Sequence, residues 1–239
     1  MCLCREPRLF TTIDANCGRI RRMDEETALE MPAPFRVDLH VHSYLSGDNA
    51  ADPEECVVRG IERGLQGIAF TEHYSYAASE PIELLRERYR DEILVLRGVE
   101  LSAAEGHCLV FGVDTDRLDL AHAPVETLIR AVEREGGVVI PSHPYRGGSG
   151  MGDMVHALQG IVAIEGHNGC NHPSFNRRAI DAARRRRLPV TGGSDAHAPG
   201  EVGSCFTVFH GRMTAERLVG MLKAGAYEAV DARALGRRG

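Results

Sequence analysis

Residues 36–43 read RVDLHVHS, and the prediction of the fold starts from this segment. Its apolar and polar side chains alternate, which predicts a β-strand. Side chains two positions apart on a strand share a face, so His40 and His42 should present two imidazoles to one ion. Asp38 is expected on the same face, where its carboxylate would orient one of the rings. Asp48 follows in a loop of small polar residues.

Four later apolar runs end in the same kinds of side chain. They end in TEH at 71–73, GVE at 98–100, SHP at 142–144 and GSDAH at 193–197, which contribute His73, Glu100, His143, Asp195 and His197. In a parallel barrel the carboxyl ends of the strands meet on one face, where active sites lie. The strand ends together therefore predict one shared metal site rather than unrelated structural roles.

His107 precedes its apolar run and needs a different argument. The runs at 93–101 and 108–113 predict a hairpin, which would place the start of the second strand beside the end of the first. His107 would then lie next to Glu100 and join the same site.

Helix-like segments separate these strands. Helices are predicted at 54–64, 81–90, 124–135, 153–159, 174–187 and 214–224. Asp52 and Pro53 supply the N-cap and the first-turn proline of the first of them. Strands that alternate with helices predict an α/β fold, and the number of strands favours a compact (β/α) barrel over an open sheet.

The barrel is expected to span residues 35–239 as one domain. Residues 1–34 end in MPAP, which disfavours a helix, and form an extension outside the repeating pattern. We expect this extension to pack poorly or to form a strand-like arm.

Composition excludes several classes of protein. The chain has 239 residues and a formal charge of −6, which argues against a protein that coats DNA. No apolar run is long enough to cross a bilayer, and residues 1–22 lack the apolar core of a signal peptide. The seven cysteines form no CxxC pair, so free thiols and a cytoplasmic location without a membrane partner are expected.

Nine side chains are candidate metal ligands: His40, His42, Asp48, His73, Glu100, His107, His143, Asp195 and His197. Nine exceed the needs of one tetrahedral ion but suit two or three divalent ions, with Glu100 or Asp195 as a bridge. Mixed imidazole and carboxylate ligation suits Zn, Mn or Fe. The set contains no Cys, which argues against a structural zinc site.

The motif order DLHVHS, TEH, GVE, SHP and GSDAH resembles the polymerase and histidinol phosphatase (PHP) superfamily of metal-dependent phosphoesterases. The resemblance runs from residue 36 to residue 210 and places the metal positions of the family on the nine candidate ligands. It implies a distorted (β/α)7 TIM-like barrel with a two- or three-metal cleft at the carboxyl ends of the strands. The short interval between His143 and Asp195 implies a small, stand-alone member.

The expected activity is hydrolysis of a phosphomonoester or a nucleotide. Divalent ions lower the pKa of bound water and neutralise charge on a phosphate, so attack by metal-bound hydroxide is expected. Asp195, His197 and Glu100 are the expected catalytic residues, with Asp195 or His197 moving the proton.

Four residues are expected to bind the substrate. Arg146 lies in a Gly-rich loop after His143, where its guanidinium could hold a phosphate. Glu165, His167 and Asn168 end the next strand and should face the same cleft, either on the substrate or behind the ligands.

Other activities remain open at this point. The same ligands suit a 5′–3′ exonuclease on 5′-phosphorylated oligonucleotides, or amidohydrolase-type hydrolysis of a C–N or C–O bond. Arg146 favours phosphate chemistry, and the intact ligand set disfavours a non-enzymatic metal-binding module. The partner is expected to be a small phosphorylated compound, with a nucleotide or a short single strand of nucleic acid as options. Tyrosines beside the ligand motifs could stack on a ring: Tyr44, Tyr74, Tyr76 and Tyr145. No oligomeric state is predicted.

Overall fold

The fold is that of a computed structural model, which describes residues 10–13, 20–23, 33–118, 120 and 122–235. Within these residues, twelve strands form four sheets. The strands are β1 (Phe10–Ile13), β2 (Ile20–Met23), β3 (Pro34–Val41), β4 (Gly67–Phe70), β5 (Leu94–Arg97), β6 (Val99–Ser102), β7 (His107–Phe111), β8 (Val138–Pro141), β9 (Ile164–Asn168), β10 (Val190–Gly193), β11 (Cys205–His210) and β12 (Tyr227–Asp231). The helices are α1 (Pro53–Glu62), α2 (Ile82–Arg88), α3 (Val125–Arg134), α4 (Pro173–Arg186), α5 (Leu218–Ala224) and α6 (Ala232–Leu235).

The largest sheet has the strand order β12–β11–β3–β4–β5. β3, β4 and β5 run parallel, whereas β11 is antiparallel to both β3 and β12. The second half of β3 and all of β4 are buried, as expected for strands covered on both faces. The carboxyl end of β3, with His40 and His42, therefore lies inside the protein.

A second sheet, β6–β7–β8, departs from the predicted parallel arrangement. β7 runs antiparallel to both of its neighbours, and Ser102 pairs with His107, so the predicted hairpin is confirmed. The single strand predicted at 93–101 is divided at Gly98 into β5 and β6. A Cβ on Gly98 would lie 2.5 Å from the Phe111 ring, so only glycine lets that ring pack on the backbone here.

Backbone contacts join the sheets at their edges. Parallel bridges pair His73 with Glu100 and Val41 with Ala196. β9 and β10 pair in parallel, and β10 in turn lies against β3. The fold is thus a mixed α/β arrangement that brings the ends of several strands together, while a closed (β/α)7 barrel stays a prediction.

The helices follow the predicted pattern closely. The Asp52 side chain accepts hydrogen bonds from the amides of Glu54 and Glu55, and Pro53 begins α1. α3 buries Leu128 and Val132 on one face, as its amphipathic pattern predicted. The segment predicted as a helix at 153–159 is instead a 3-10 turn, and α5 is shorter than predicted because a 3-10 turn precedes it.

The N-terminal extension falls mostly outside the described residues. β1 and β2 pair antiparallel within it, whereas the predicted order and packing of the rest of 1–32 lie outside the described residues. β12, near the other end of the chain, was not predicted from sequence. In the part of the chain that the structure describes, no helix has the length and apolar character needed to cross a bilayer.

Candidate metal centre

The Glu100 carboxylate is the hub of the predicted site and is almost fully buried. Its Oε1 lies 2.9 Å from His143 Nε2, 3.4 Å from His107 Nδ1 and 3.5 Å from His40 Nε2. Its Oε2 lies 3.3 Å from His73 Nδ1 and 3.5 Å from His42 Nε2. One carboxylate thus faces five imidazoles, which is the arrangement expected of a bridging ligand.

Asp195 lies beside this hub. Its Oδ1 is 3.4 Å from Nε2 of both His40 and His42, and the carboxylate is buried. Asp195 therefore faces the same two imidazoles of the RVDLHVHS segment that Glu100 faces.

Asp48 and His197 form the exposed side of the cluster. Asp48 Oδ2 lies 3.2 Å from His73 Nε2 and 3.4 Å from His197 Nε2. Partial burial opposes the charge of Asp48, but the Asn49 amide and the neighbouring imidazoles lower its pKa. The structure brings all nine predicted ligands into one connected cluster.

The geometry of the cluster fits more than one divalent ion. Three groups each offer three ligand atoms within 4.8 Å of one another: His42, His73 and His197; His40, Glu100 and His143; His40, His42 and Asp195. Nδ1 of His73 and of His107 are buried with no hydrogen-bond partner among the described residues, although each faces a Glu100 oxygen. Buried lone pairs of this kind, beside carboxylates and without thiolates, fit Zn, Mn or Fe.

The buried carboxylates require positive charge. Burial opposes ionisation of Glu100 and Asp195, yet His40 and the other imidazoles hold the pKa of both carboxyls well below the usual range. Burial also disfavours the charged form of His40, but Asp195, Glu165 and Glu100 raise its pKa well above the usual value. Buried anions are tolerated only when paired, so the centre must hold either protons or metal ions. Metal ions would meet this need while the imidazoles stay neutral, as ligands must be.

Two of the ligands lie on strained backbone. His143 has φ of 30° and Asp195 has φ of 55°, values that residues with a side chain seldom adopt. The Asp195 amide donates to the His40 carbonyl at 2.7 Å, and the His143 amide donates to Glu165 Oε2 at 2.8 Å. Strain of this kind persists where the surroundings enforce it, most often at functional sites.

Gly193 allows β10 to approach β3. A Cβ at this position would lie 2.4 Å from the Cβ of His40 and 3.1 Å from Glu165 Oε1. Any side chain there would push His40 away from its partners. The glycine is therefore part of what positions the ligand.

Glu165 lies behind one of the candidate ligands, His40. It is buried, with Oε1 2.8 Å from His40 Nδ1, while Oε2 accepts hydrogen bonds from the His143 amide and from Asn168 Nδ2. A carboxylate on Nδ1 selects the tautomer that leaves the Nε2 lone pair for a metal. Of the two roles expected for Glu165, the geometry matches the one behind the ligands, and the substrate contact stays a prediction.

Asp38 does not take the orienting role expected for it. Its Oδ1 accepts a hydrogen bond from the Ser194 amide and its Oδ2 one from the Gly203 amide, both at 2.8 Å. Burial raises its pKa to about 6, against the effect of these hydrogen bonds. Asp38 therefore anchors the loop that follows β10 and carries Asp195.

An extra residue in β9 decides which of its side chains face the centre. Thr191 pairs with Glu165 and Gly192 pairs with His167, so the residue between them bulges. Asn168 consequently faces the cluster and donates to Asp195 Oδ2 at 3.1 Å. The structure does not bring His167 into the cluster, contrary to the prediction.

His167 lies instead near Asp231 and Arg233, and burial is the main reason that its pKa is lowered. Its Nδ1 is buried without a hydrogen-bond partner among the described residues.

Glu72 is a supporting residue that the sequence analysis missed. It is fully buried and accepts hydrogen bonds from the Ser43 amide at 3.1 Å, from Ser43 Oγ at 2.6 Å and from Ser46 Oγ. Ser46 Oγ also lies 3.2 Å from His42 Nδ1 and accepts from the His73 amide. This chain of hydrogen bonds leaves Nε2 of His42 for the cluster. The available signal was an acidic residue directly before His73, at the end of a buried strand.

Arg146 lies at the edge of the cluster. Its Nη2 donates to Asp195 Oδ2 at 2.6 Å and to Asn168 Oδ1 at 2.8 Å, and its Nε donates to Asn171 Oδ1 at 2.9 Å. Among the described residues, its Nη1 has no hydrogen-bond partner. The guanidinium is thus held in place and keeps an amino group for an anion.

Two family models match the chain. The PHP domain matches residues 38–143, which include seven of the nine candidate ligands, and the PHP-associated model matches residues 173–227, which include Asp195 and His197. The chain belongs to the PHP family. The resemblance read from the motif order is therefore confirmed. No curated protein matches this PHP chain at a significant level.

Solved structures share the PHP fold at low sequence identity. PsfC from Pseudomonas syringae PB-5123 superposes with a TM-score of 0.65 and 22% identity, over 82% of this chain and 91% of that one. A two-domain protein from Bacteroides vulgatus ATCC 8482, containing a predicted PHP-like metal-dependent phosphoesterase, superposes with a TM-score of 0.67 and 21% identity. The match covers 83% of this chain and 65% of that one. An amidohydrolase from Chromobacterium violaceum with bound sulfate superposes with a TM-score of 0.56 and 19% identity. The match covers 82% of this chain and 99% of that one. At such identities the likeness shows the fold alone.

Proposed function

We propose that this PHP protein is a metal-dependent phosphoesterase that hydrolyses a phosphomonoester or a nucleotide. The observation that carries the proposal is the Arg146 guanidinium, 2.6 Å from Asp195 at the edge of the ligand cluster. Guanidinium groups match the geometry and charge of phosphate oxygens. An amide or lactone carbonyl has no comparable need for a fixed cation.

The nine candidate ligands would hold two or three ions of Zn, Mn or Fe, around the Glu100 carboxylate that faces five of the imidazoles. Such ions, when bound, supply a nucleophile at neutral pH by lowering the pKa of water, and they offset charge on the phosphate. Hydrogen bonds from Glu165 to His40 and from Ser46 to His42 keep the ligand nitrogens oriented.

The side chains of this chain position the ester and move the proton. Asp195 connects the two tasks, because its Oδ1 faces His40 and His42 while its Oδ2 accepts from Arg146. His197 lies towards solvent, 35% exposed, with Nδ1 2.9 Å from the Asp195 carbonyl. The proposal assigns proton transfer to Asp195 and His197, and to Glu100 the task of holding the imidazoles around the reacting group.

We further propose a distorted (β/α)7 barrel and a cytoplasmic location. A distorted (β/α)7 barrel is supported by the bridges between β3 and the segment after β10, and between His73 and Glu100. A cytoplasmic location is supported by the free, buried thiols of Cys56, Cys108 and Cys205.

Metal analysis combined with a substrate screen tests the proposal. Elemental analysis of the purified protein should find more than one ion per chain. The protein with Mn, Zn or Fe should hydrolyse phosphomonoesters, nucleotides or 5′-phosphorylated oligonucleotides, and the Asp195→Asn variant should not. His210→Gln is the matched control, since His210 contacts Glu228 rather than the cluster. One ion or fewer per chain, or full activity of Asp195→Asn, would contradict the proposal.

Arg146→Met distinguishes the reaction classes. We expect this variant to keep its metal and lose phosphate-ester hydrolysis, because the guanidinium contacts Asp195 but contributes no ligand atom. If the wild-type protein turned over an amide or lactone and hydrolysed no phosphate ester, amidohydrolase chemistry would be favoured instead. Faster release of nucleotides from 5′-phosphorylated oligonucleotides than hydrolysis of mononucleotides would favour the exonuclease.

A further inference from the structure

The structure separates the four tyrosines that follow ligand motifs into two kinds. Tyr145 is buried beneath Arg178, whose guanidinium carbon lies 4.2 Å from the ring centroid. Tyr76 lies beneath Arg97 in the same way, at 4.3 Å. The rings of Tyr145 and Tyr76 therefore have packing partners. Tyr44 and Tyr74 remain exposed.

Tyr74 combines exposure with contact to a metal ligand. Its side chain is 63% exposed. Its ring centroid lies 5.4 Å from that of His73, tilted by 40°. His73 in turn contacts both Glu100 and Asp48. The Tyr74 ring thus borders the metal centre and remains largely exposed to solvent.

The backbone of Tyr74 is strained. Its φ is 67°, in the left-handed region that glycine and asparagine tolerate and an aromatic residue rarely adopts. A glycine would hold this turn at lower cost, and an exposed ring stabilises the fold little. Strained, exposed residues beside a centre of this kind are typical of ligand-binding positions.

The loop around Tyr74 is held rigidly. Asp116 accepts hydrogen bonds from Ser75 Oγ at 2.8 Å and from the amides of Tyr76 at 2.9 Å and Ala77 at 2.8 Å. Arg97 donates to the Tyr76 carbonyl at 2.8 Å. The Tyr74 amide donates to the Glu100 carbonyl at 3.2 Å. The backbone that carries the ring is therefore held in place, which lowers the entropic cost of binding on it.

We infer that Tyr74 is a stacking platform for a flat aromatic ring of the substrate, whose phosphate group lies at the metal centre. The inference rests on the proposed phosphoesterase function and narrows its substrate to esters that carry an aromatic or heteroaromatic ring, such as a nucleobase. Stacking suits this position because every base presents a π-face, so the site needs no other polar group.

Two substrates and two variants test the inference. AMP and glycerol 2-phosphate are compared as substrates of wild-type protein, Tyr74→Phe and Tyr74→Gly. We expect Tyr74→Gly to raise KM for AMP by about tenfold or more, the range of a lost base–aromatic stack, with kcat little changed. KM for glycerol 2-phosphate should stay constant, and Tyr74→Phe should behave as wild type. Tyr74→Gly should not lower the melting temperature, since glycine relieves the positive φ.

One control variant and a binding measurement accompany this test. Leu84→Ala removes an exposed apolar side chain on α2 and should change neither KM. Calorimetric binding of a non-hydrolysable phosphonate analogue of AMP to the metal-loaded protein should weaken in Tyr74→Gly by the same factor as the KM for AMP. This measurement is independent of hydrolysis, so it tests the platform even if no phosphate ester is turned over.

Equal KM changes for AMP and glycerol 2-phosphate in Tyr74→Gly would overturn the inference, and so would unchanged binding of the phosphonate analogue. A larger rise of the KM for AMP in Tyr44→Ala than in Tyr74→Gly would also overturn the inference. Failure of the phosphoesterase proposal is a different result, namely no hydrolysis of either substrate by the wild type.

Discussion

β3 and β9 both deliver polar side chains to the metal centre, and both contain an irregularity, but only β3 follows the alternation read from its sequence. In β3 the register shifts between Asp38 and Val41, and His40 and His42 still face one cluster. In β9 the extra residue falls after Glu165, so that Asn168 faces the centre and His167 does not.

The difference shows where the period-two rule holds. An inserted residue moves every later side chain to the other face of the strand. In β3 the ligand pair still shares one face, and Asp38, at the start of the irregularity, bonds the loop after β10 instead of a ring. In β9 the irregularity lies between Glu165 and His167, which simple alternation would have placed on the same face.

The largest expected effect comes from replacing His40 in β3, and His167 in β9 provides the comparison. His40→Ala removes a ligand shared by two of the three groups. Metal activation contributes several kcal/mol, so we expect a loss of about a thousandfold or more in kcat/KM. His167→Ala should leave kcat/KM and metal content unchanged. If His167→Ala stripped the metal and His40→Ala did not, the assignment of faces would be reversed.

Glu165→Gln tests the support that β9 gives to β3. The amide cannot act as the anionic partner of His40 Nδ1, and the loss of such a partner weakens metal binding by about 10–100-fold. Competition with a coloured chelator measures the affinity. Glu228→Gln, at an exposed glutamate, should bind metal as the wild type does. Equal affinities of the two variants would remove Glu165 from the ligand support.

Gly193→Ala tests the close approach of β10 to β3. The new methyl group would lie 2.4 Å from the Cβ of His40, so the strands must separate. Overpacking of this kind costs about 1–3 kcal/mol in the free energy of unfolding, measurable by urea denaturation.

Gly220→Ala is the matched control for Gly193→Ala. Gly220 lies in α5 with nothing within 4 Å of the point that a Cβ would occupy, and alanine there should stabilise the helix by about 0.5–1 kcal/mol. A stable Gly193→Ala variant with full metal content would show that the approach can relax.

Arg233→Met is expected to have the smallest effect. Arg233 donates to the carbonyls of Asn168, Gly169 and Asn171, in the turn whose side chains hold Arg146. Loosening this turn should raise KM for a phosphate ester by less than about tenfold, without loss of metal, since no ligand is touched.

Arg212→Met removes an exposed arginine and should change nothing, which makes it the control for Arg233→Met. Metal loss in Arg233→Met, with KM unchanged, would show that the turn supports the ligands rather than Arg146.

Much of the site was predictable because its ligands follow short apolar runs. Each of the nine lies at or near the end of a strand or in an adjoining loop, and strand ends can be read from local hydrophobic pattern. His107 needed only the hairpin, which its flanking runs also indicated. Glu72 was missed because its place before His73 does not by itself show that its carboxylate bonds Ser43 and Ser46, which lie far along the chain.

The supporting residues could not be predicted in the same way. Their roles depend on partners far along the chain, such as Asp38 with Gly203 and Glu165 with His40. The reversal of β7, the bulge in β9 and the contact of Gly193 with His40 likewise follow from how strands pack against one another.

Residue types and their spacing thus specified the candidate ligand set, the alternation of strands and helices and the family. These properties depend on short-range periodicity, which a linear chain displays directly. Which side chains orient the ligands, which of them face solvent, and which tyrosine ring remains open beside His73 were decided only in the folded protein. Those outcomes depend on long-range packing and on hydrogen bonds that must be satisfied in a buried site, and neither is encoded in any one segment.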